Sequence, residues 1–570
     1  MKVHVLAAVG SIILATIAVD QARAQAPLPY NIGDAVRSGE QTRRQTLPGS
    51  PPTLVLPRLA EPQFTMKDKE TLLVRHFKVE GPSLVDEAEI RAALAPYEGR
   101  KLTVQQIYEA ADGVTTIYRT HGYMVAKAYV PAQNARGGVL RLKVVPGQYG
   151  DVRLDNKSLV RDGFVQGVVD HVHDKSPYIE KSALERAMLL LSDLPGAGMP
   201  RVVIGAGQRP ETTNFTFDVP EGKRVDGYLM ADNWGSPFTG RDRLTGNIDI
   251  NSLLGIGDRF SAFGIITDAG ELKNGRIAYA LPIGTDGLHA EVAAFRTTYV
   301  LGDSFAGLGA TGTANGVMGT LTYALIRQGD QSLYLSGNYT HKSLNDELLN
   351  ISFADRHIDL GTAGVTYDRS GTFWTLPFVT STTASLTHGR VAFDDPFQLA
   401  ANIAGADTAG DYTKFNFLHV STLAFTDKLS LNMNFRAQKS FGKNLDSSEQ
   451  LGLTGWFGIR SFDEGLAGDS GYIITPELKY ALPGFDRYTH SVGLFADSGG
   501  VWLENPSFTV TQKPLTQLND IGLGYYATYE YMPTRFLLLK AMVAHTVGTD
   551  GGAELYDHDT KGLVQIGVTF

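Results

Sequence analysis

Between Leu429 and Arg436 the chain alternates: Leu429, Leu431, Met433 and Phe435 are apolar, while Ser430, Asn432, Asn434 and Arg436 are polar. Successive side chains of a strand point to opposite faces, so a period of two describes a wall with one apolar and one wet side. The pattern recurs to the end of the chain. There Val564, Ile566, Val568 and Phe570 take one face, and Gln565, Gly567 and Thr569 the other. Such segments, separated by Gly, Asn, Asp and Pro clusters, begin near 225, 240, 257, 272, 286, 316, 332, 356, 374, 412, 428, 471, 489, 519, 535 and 562. The count is about 16 with no convincing amphipathic helix among them, an even number as expected of a membrane barrel with both ends on one side. The connections 302–315, 344–355, 390–411, 441–470 and 546–561 read as long and most of the others as short turns.

Upstream the period changes to that of helices. Thr103-Val104-Gln105-Gln106 is a capping box, and Ile107, Ala111, Val114 and Tyr118 form an apolar stripe on the helix it opens, which ends at Gly122. With a strand from Leu72 to Val79, a helix from Asp86 to Leu94, and strands Val125–Val130 and Val139–Val145, the order is strand, helix, helix, strand, strand. The order repeats: strand Asp151–Asp155, helices Gly163–Val172 and Glu180–Leu194, strands Arg201–Ile204 and Asn214–Val219. The expected layout is therefore a leader at 1–24, a short helix and Pro-rich linker at 25–70, α+β units at 71–147 and 148–222, and a barrel at 223–570. The leader shows Lys2, an apolar stretch from Val5 to Val19 and Ala22-Arg23-Ala24, with cleavage expected before Gln25. Within the linker region the helix is expected from Asp34 to Gln45, ahead of Pro48, Pro51, Pro52, Pro57 and Pro62.

Composition narrows the chemistry. The mean hydropathy is −0.10, and no run of about 20 apolar residues follows the N-terminus, which excludes a bundle of membrane helices. Closed barrels are the other way to satisfy every backbone group in lipid, and 62 glycines suit turn-rich antiparallel structure. A net charge of −9 without clustered Lys and Arg argues against a nucleic-acid partner. The chain has no cysteine, which removes disulfides, thiolate zinc sites and cysteine nucleophiles together, and no cofactor is expected.

Several local motifs carry a resemblance to a known family. Leu189-Leu190-Leu191-Ser192-Asp193-Leu194-Pro195-Gly196 closes the second unit's last helix. Asp232-Asn233-Trp234-Gly235-Ser236, with Thr239-Gly240-Arg241, follows the first barrel strand. Gly458-Ile459-Arg460-Ser461-Phe462 lies in the long segment 441–470, and Phe495-Ala496-Asp497-Ser498-Gly499 lies on a later strand. In these motifs and in their order the chain resembles the two-partner secretion transporters of the hemolysin secretion/activation type, in the POTRA-plus-barrel superfamily. The resemblance implies an outer-membrane β-barrel of about 16 antiparallel strands carrying two POTRA-like periplasmic domains. It also implies a secreted protein client of large adhesin or cytolysin type, outer-membrane lipid around the wall, and Phe570 as an assembly signal for the barrel assembly machinery. An assembly or insertion factor of the same superfamily is the alternative. Ser461 stands where that family usually has Gly.

Arg460 and Asp497 suit each other chemically. An Arg on a loop folded back into a lumen needs a matching charge, and a carboxylate on an inward strand position takes a guanidinium through two parallel hydrogen bonds. From the residues alone a solvated loop arginine is the better reading, and the resemblance turns the balance toward the pair. Catalysis at Asp497-Ser498-Gly499-Gly500 would need a His and an Asp in a double-barrel fold, whereas this tetrapeptide sits inside an alternating strand beside Leu494 and Val501, and Gly307–Gly312 lacks a surrounding βαβ unit for a dinucleotide. Asp170-His171-Val172-His173-Asp174 and Asp557-His558-Asp559 read as polar surface, not metal sites. The expected function is not enzymatic: capture of an unfolded exported protein and its conduction through the barrel.

Overall fold

The computed structural model describes residues 32, 35–36, 54–55, 70–133, 136–172, 176–209, 211–268, 270–506, 515–548 and 559–570. The leader 1–24, most of the helix expected at 34–45 and most of the Pro-rich linker lie outside them. A two-residue strand, β1 (Leu54–Val55), precedes the first small unit. That unit comprises β2 (Leu72–Val74), β3 (His76–Glu80), α1 (Glu87–Leu94), β4 (Arg100–Leu102), α2 (Val104–Thr120), β5 (Lys127–Tyr129) and β6 (Val139–Val145). The strand expected from Leu72 to Val79 is broken at Arg75, because β2 pairs with β4 while β3 pairs with β6. The Thr103–Gln106 capping box opens α2, and Ile107, Ala111, Val114 and Tyr118 bury the expected stripe.

The second unit comprises β7 (Gln148–Asn156), α3 (Asp162–Asp170), α4 (Lys181–Ser192), β8 (Arg201–Ala206) and β9 (Thr212–Val219). Alternation on β9 puts Phe215, Phe217 and Val219 into the core beneath Leu184, Met188 and Leu191 of α4. Its sheet runs β1-β8-β9-β7, so the linker strand β1 lies parallel along the outer edge of β8.

The rest of the chain is the barrel. Its wall begins with β10 (Val225–Asp232), β11 (Arg243–Asn251), β12 (Arg259–Thr267), β13 (Leu272–Ile283) and β14 (Leu288–Val300). It continues with β15 (Ala310–Arg327), β16 (Gln331–Leu348), β17 (Ile351–Phe373), β18 (Leu376–Phe393), a short helix α5 (Pro396–Ala404), β19 (Gly410–Ala424) and β20 (Leu429–Ser440). Two short strands, β21 (Leu451–Gly452) and β22 (Ala467–Gly468), pair with each other inside one connection. The wall ends with β23 (Ser470–Ala481), β24 (Tyr488–Trp502), β25 (Leu515–Met532), β26 (Arg535–Thr546) and β27 (Thr560–Thr569). Sixteen antiparallel strands close when β27 pairs with β10. The wall is uneven: β10, β11 and β12 have 8, 9 and 9 residues, whereas β16, β17 and β18 have 18, 23 and 18.

Alternation sets the two faces. Leu229, Ile277, Val292, Leu321, Leu523 and Ile566 are exposed on the outside, while Lys342, Arg356, Asp497 and Lys561 are buried inside. The small units sit at the rim where β10 begins, here the near rim. At the far rim the connection expected over 344–355 is only a two-residue turn, Leu349–Asn350, both with positive φ (52° and 65°). Asn345, Asp346 and Glu347 resemble loop residues because they are polar, yet β16 continues through them and buries Asp346 in the lumen.

Candidate functional site in the barrel lumen

Segment 441–469, between β20 and β23, turns back into the barrel. Leu445, Leu451, Leu453, Ile459 and Phe462 are buried in one cluster with the wall residues Leu344, Ile358, Ile473, Val501 and Leu518. Within the loop, Ile459 N–H donates to the Leu453 carbonyl at 2.8 Å. A Cβ on Gly458 would lie 1.9 Å from that same oxygen, so only glycine permits the crossing.

At the loop tip, Arg460 Nε donates to Asp497 Oδ2 at 2.7 Å and Nη2 to Oδ1 at 2.8 Å. The fork is bidentate, and both side chains are buried. Phe495 lies two residues from Asp497 on the same face of β24, and its ring sits 3.5 Å from the guanidinium carbon. Ser461 N–H donates to Asp520 Oδ2 at 2.7 Å, and the Thr546 hydroxyl donates to the Ser461 hydroxyl at 3.1 Å. Ser461 is not in the left-handed region, so a side chain is accommodated there. Gly499 lies beside Leu453, where an added Cβ would come within 2.8 Å of Leu453 Cδ1.

The loop has further anchors. Asp463 meets Lys561 at 2.6 Å and Arg241 at 3.0 Å. Trp456 stacks on Trp234, centroids 3.3 Å apart and 5° from parallel; beside it Arg243 Nε bonds Asp232 Oδ1 at 2.8 Å. On the loop's other arm, Asp446 pairs with Arg356, and Glu449 with both Lys342 and, at 2.8 Å, Lys414. Burial alone pushes the Glu449 carboxyl up, but the two lysines pull it down to about 2. Arg356 also donates to Asp346 at 2.9 Å, and Asp346 accepts the Ile32 N–H at 3.3 Å. Ile32, Ala35 and Val36 are helical and buried in the lumen cluster. Loop 441–469 and the residues Ile32, Ala35 and Val36 therefore both lie in the lumen, and the loop's Asp446, Glu449, Arg460 and Asp463 are matched by charges on the wall.

The near rim is tied to the second small unit. Asp193 takes Arg327 through two bonds of 2.8 and 2.7 Å. Arg186 donates to the Ala324 carbonyl at 2.7 Å and to Asp286 Oδ1 at 3.0 Å. His171 bonds Thr285 at 2.8 Å, while His173 and Asp174 lie outside the described residues. Arg327→Ala should loosen this docking. Protease cleavage between the second unit and β10 is expected to accelerate while the barrel's heat-modifiable migration is unchanged; unchanged cleavage would place the docking elsewhere.

Comparison with known proteins decides the family. The family described as haemolysin secretion/activation protein ShlB/FhaC/HecB matches residues 212–515, and a POTRA domain of ShlB type matches residues 72–147. The chain belongs to the haemolysin secretion/activation protein family. The heme/hemopexin transporter protein HuxB of Haemophilus influenzae (strain 86-028NP) is 28% identical over 444 residues, covering 76% of this chain and 77% of HuxB. The outer membrane transporter CdiB of Escherichia coli is 24% identical over 489 residues, covering 82% of this chain and 78% of that protein. Solved CdiB structures share the fold. That from Escherichia coli has TM-score 0.71 at 18% identity over 96% of this chain and 100% of its own; that from Acinetobacter baumannii has 0.63 at 14% over 95% and 97%. This family member is an outer-membrane transporter of the two-partner secretion type, exporting a partner protein through the outer membrane.

In this transporter the structure brings together Gly458, Ile459, Arg460, Ser461 and Phe462 with Phe495, Asp497 and Gly499. Phe570 stands apart at the near rim, bonded to Gly227. Sequence reasoning missed Asp446 and Glu449, the pairing of the loop-motif residue Asp463, and the partners Lys342, Arg356, Lys414 and Lys561. The available signal was charge at lumen-facing strand positions, visible only once the register is known.

Proposed function

We propose that the near rim faces the periplasm and that the two small units take hold of an unfolded partner there by strand addition. The partner, a large secreted adhesin or cytolysin, then passes through the lumen once the loop and the helical segment have moved aside. Barrel assembly machinery inserts the chain, reading Phe570. One observation supports the strand-addition reading most: the edge of β8 already carries an added strand, Leu54↔Val202 and Val55↔Val203 in parallel. Val203 is 48% exposed and offers an apolar contact to whatever lies there. The first unit's β5 is less open, because Thr115 on α2 accepts the Ala128 N–H at 2.9 Å and Arg119 donates to the Ala126 carbonyl at 3.1 Å. Backbone bonds would tolerate many client sequences, while selection would rest on one apolar residue toward each face of the sheet, as with Leu54 opposite Val202 and Val55 opposite Val203.

The linker strand then competes with the client for β8. Leu54→Pro with Val55→Pro should empty the edge, since proline cannot complete the ladder. The partner is identified as the secreted protein that disappears from the medium when this chain is removed. Its N-terminal region should bind the variant full-length transporter severalfold more tightly than the parent. Equal or weaker binding would show that the client enters elsewhere.

A further inference from the structure

Barrel closure depends on the pairing of the first and last strands, and this is the shortest pairing in the wall. β10 and β27 share five register pairs, from Tyr228↔Thr569 to Asp232↔Gln565. By contrast β27 shares nine with β26, and β10 shares eight with β11. β10 stops where the Asp232 carboxylate accepts the Trp234 N–H at 3.1 Å and turns the chain away. The outer part of β27, from Thr560 to Val564, therefore runs past the end of its neighbour.

Asn233 covers this gap. Its backbone N–H donates to the Val564 carbonyl at 3.3 Å, its Oδ1 accepts the Val564 N–H at 2.8 Å, and its Nδ2 donates to the Gly562 carbonyl at 3.0 Å. A carboxamide carries the same donor and acceptor as a peptide group, so one side chain prolongs the ladder where no strand remains. Val564 and Ile566 are 45% and 55% exposed on the outer face. Beside lipid, backbone groups left without a partner find no water to replace it. The other end of the seam is closed differently: Phe570 and Gly227 exchange backbone bonds of 3.0 and 3.3 Å, and a Cβ on Gly227 would lie 2.8 Å from the Phe570 ring.

We infer that Asn233 is the clasp of the closing seam, a positioning residue that keeps the wall shut at its outer end while a partner protein occupies the lumen. It acts on β27 and touches no transported chain. Serine or alanine at this position cannot make both side-chain bonds, and aspartate keeps only the acceptor.

The test uses the full chain in lipid nanodiscs for hydrogen exchange, and in cells for export. Asn233→Ala should speed exchange of the Val564 amide by about tenfold or more, because a protected amide becomes an edge amide. Asn233→Asp, which retains the bond from Val564 N–H, should give a smaller acceleration. Export should fall in Asn233→Ala. Ala231 and Ile566 are register partners across the seam, and with no native cysteine Ala231→Cys with Ile566→Cys creates a single possible disulfide at a separation such bonds accept. Oxidation of that pair in the Asn233→Ala background should restore export, and reduction should remove it again. Unchanged exchange at Val564 in both Asn233 variants would overturn the inference. So would an export defect that persists with the seam covalently locked.

Discussion

Arg460→Ala should impair export more than Asp497→Ala, although the two residues form one pair. Removing one partner of a buried ion pair costs about 3–5 kcal/mol, because the other is left charged and unmatched. The two remainders differ. Without Arg460, Asp497 stands across the β24–β25 ladder from Asp520, with two buried carboxylates side by side and the bidentate guanidinium gone. Without Asp497, Arg460 still has Asp520 nearby, held to the loop by the Ser461 N–H. The double variant Arg460→Ala/Asp497→Ala should be no worse than Arg460→Ala alone. Measured as partner protein released per cell, with barrel heat-modifiability as the control for assembly, additive losses in that cycle would speak against direct coupling.

The loop's other arm should respond to charge at Glu449 and to acid. Glu449→Gln removes the anion shared by Lys342 and Lys414, and leaves two lysines facing the lumen. Conductance of the purified barrel in a planar bilayer should rise, with the loop tip still held by Arg460. The pH dependence has a defined direction. The Glu449 carboxyl is held at about 2 in the folded protein against an ordinary value near 4.3. Its contribution, on the order of 3 kcal/mol, is complete above the ordinary value and is lost as the pH falls toward about 2. The parent barrel should therefore stay closed at pH 5 and leak near pH 2, whereas Glu449→Gln should leak at both. Equal conductance of parent and variant at pH 5 would show that this arm does not hold the loop.

Much of this architecture was legible because lipid and water impose a period of two that a chain cannot conceal. All sixteen wall strands begin within six residues of the positions read from alternation, as with β13 at Leu272 and β26 at Arg535. The loop tip was legible through Arg460 and Asp497, which carry both a motif and a mutual need. The β16–β17 end was not, since Asp346 looks like a loop residue until Arg356 and the Ile32 N–H are placed beside it. The anchors Asp446 and Glu449 were hidden for a related reason. Their partners come from β16, β17 and β19, and an interstrand meeting point depends on tilt and register, not on any local pattern. Arg75 shows the same limit on a small scale, where one apolar run serves two sheets.

The unequal strand lengths have a consequence for the surrounding bilayer. Nine residues on a strand tilted by about 40° rise roughly 23 Å, just short of the apolar band of about 25 Å that outer-membrane barrels present, whereas strands twice as long stand well clear of it. Lipid beside β10, β11 and β12 must compress or tilt to meet the low side, at a fraction of a kcal/mol for each Å of mismatch. The molecule thus sits in an annulus of uneven depth, shallowest along the stretch of wall that includes β10. Membranes of greater thickness will load that side hardest, and acyl-chain length becomes a variable that acts on the transporter from outside.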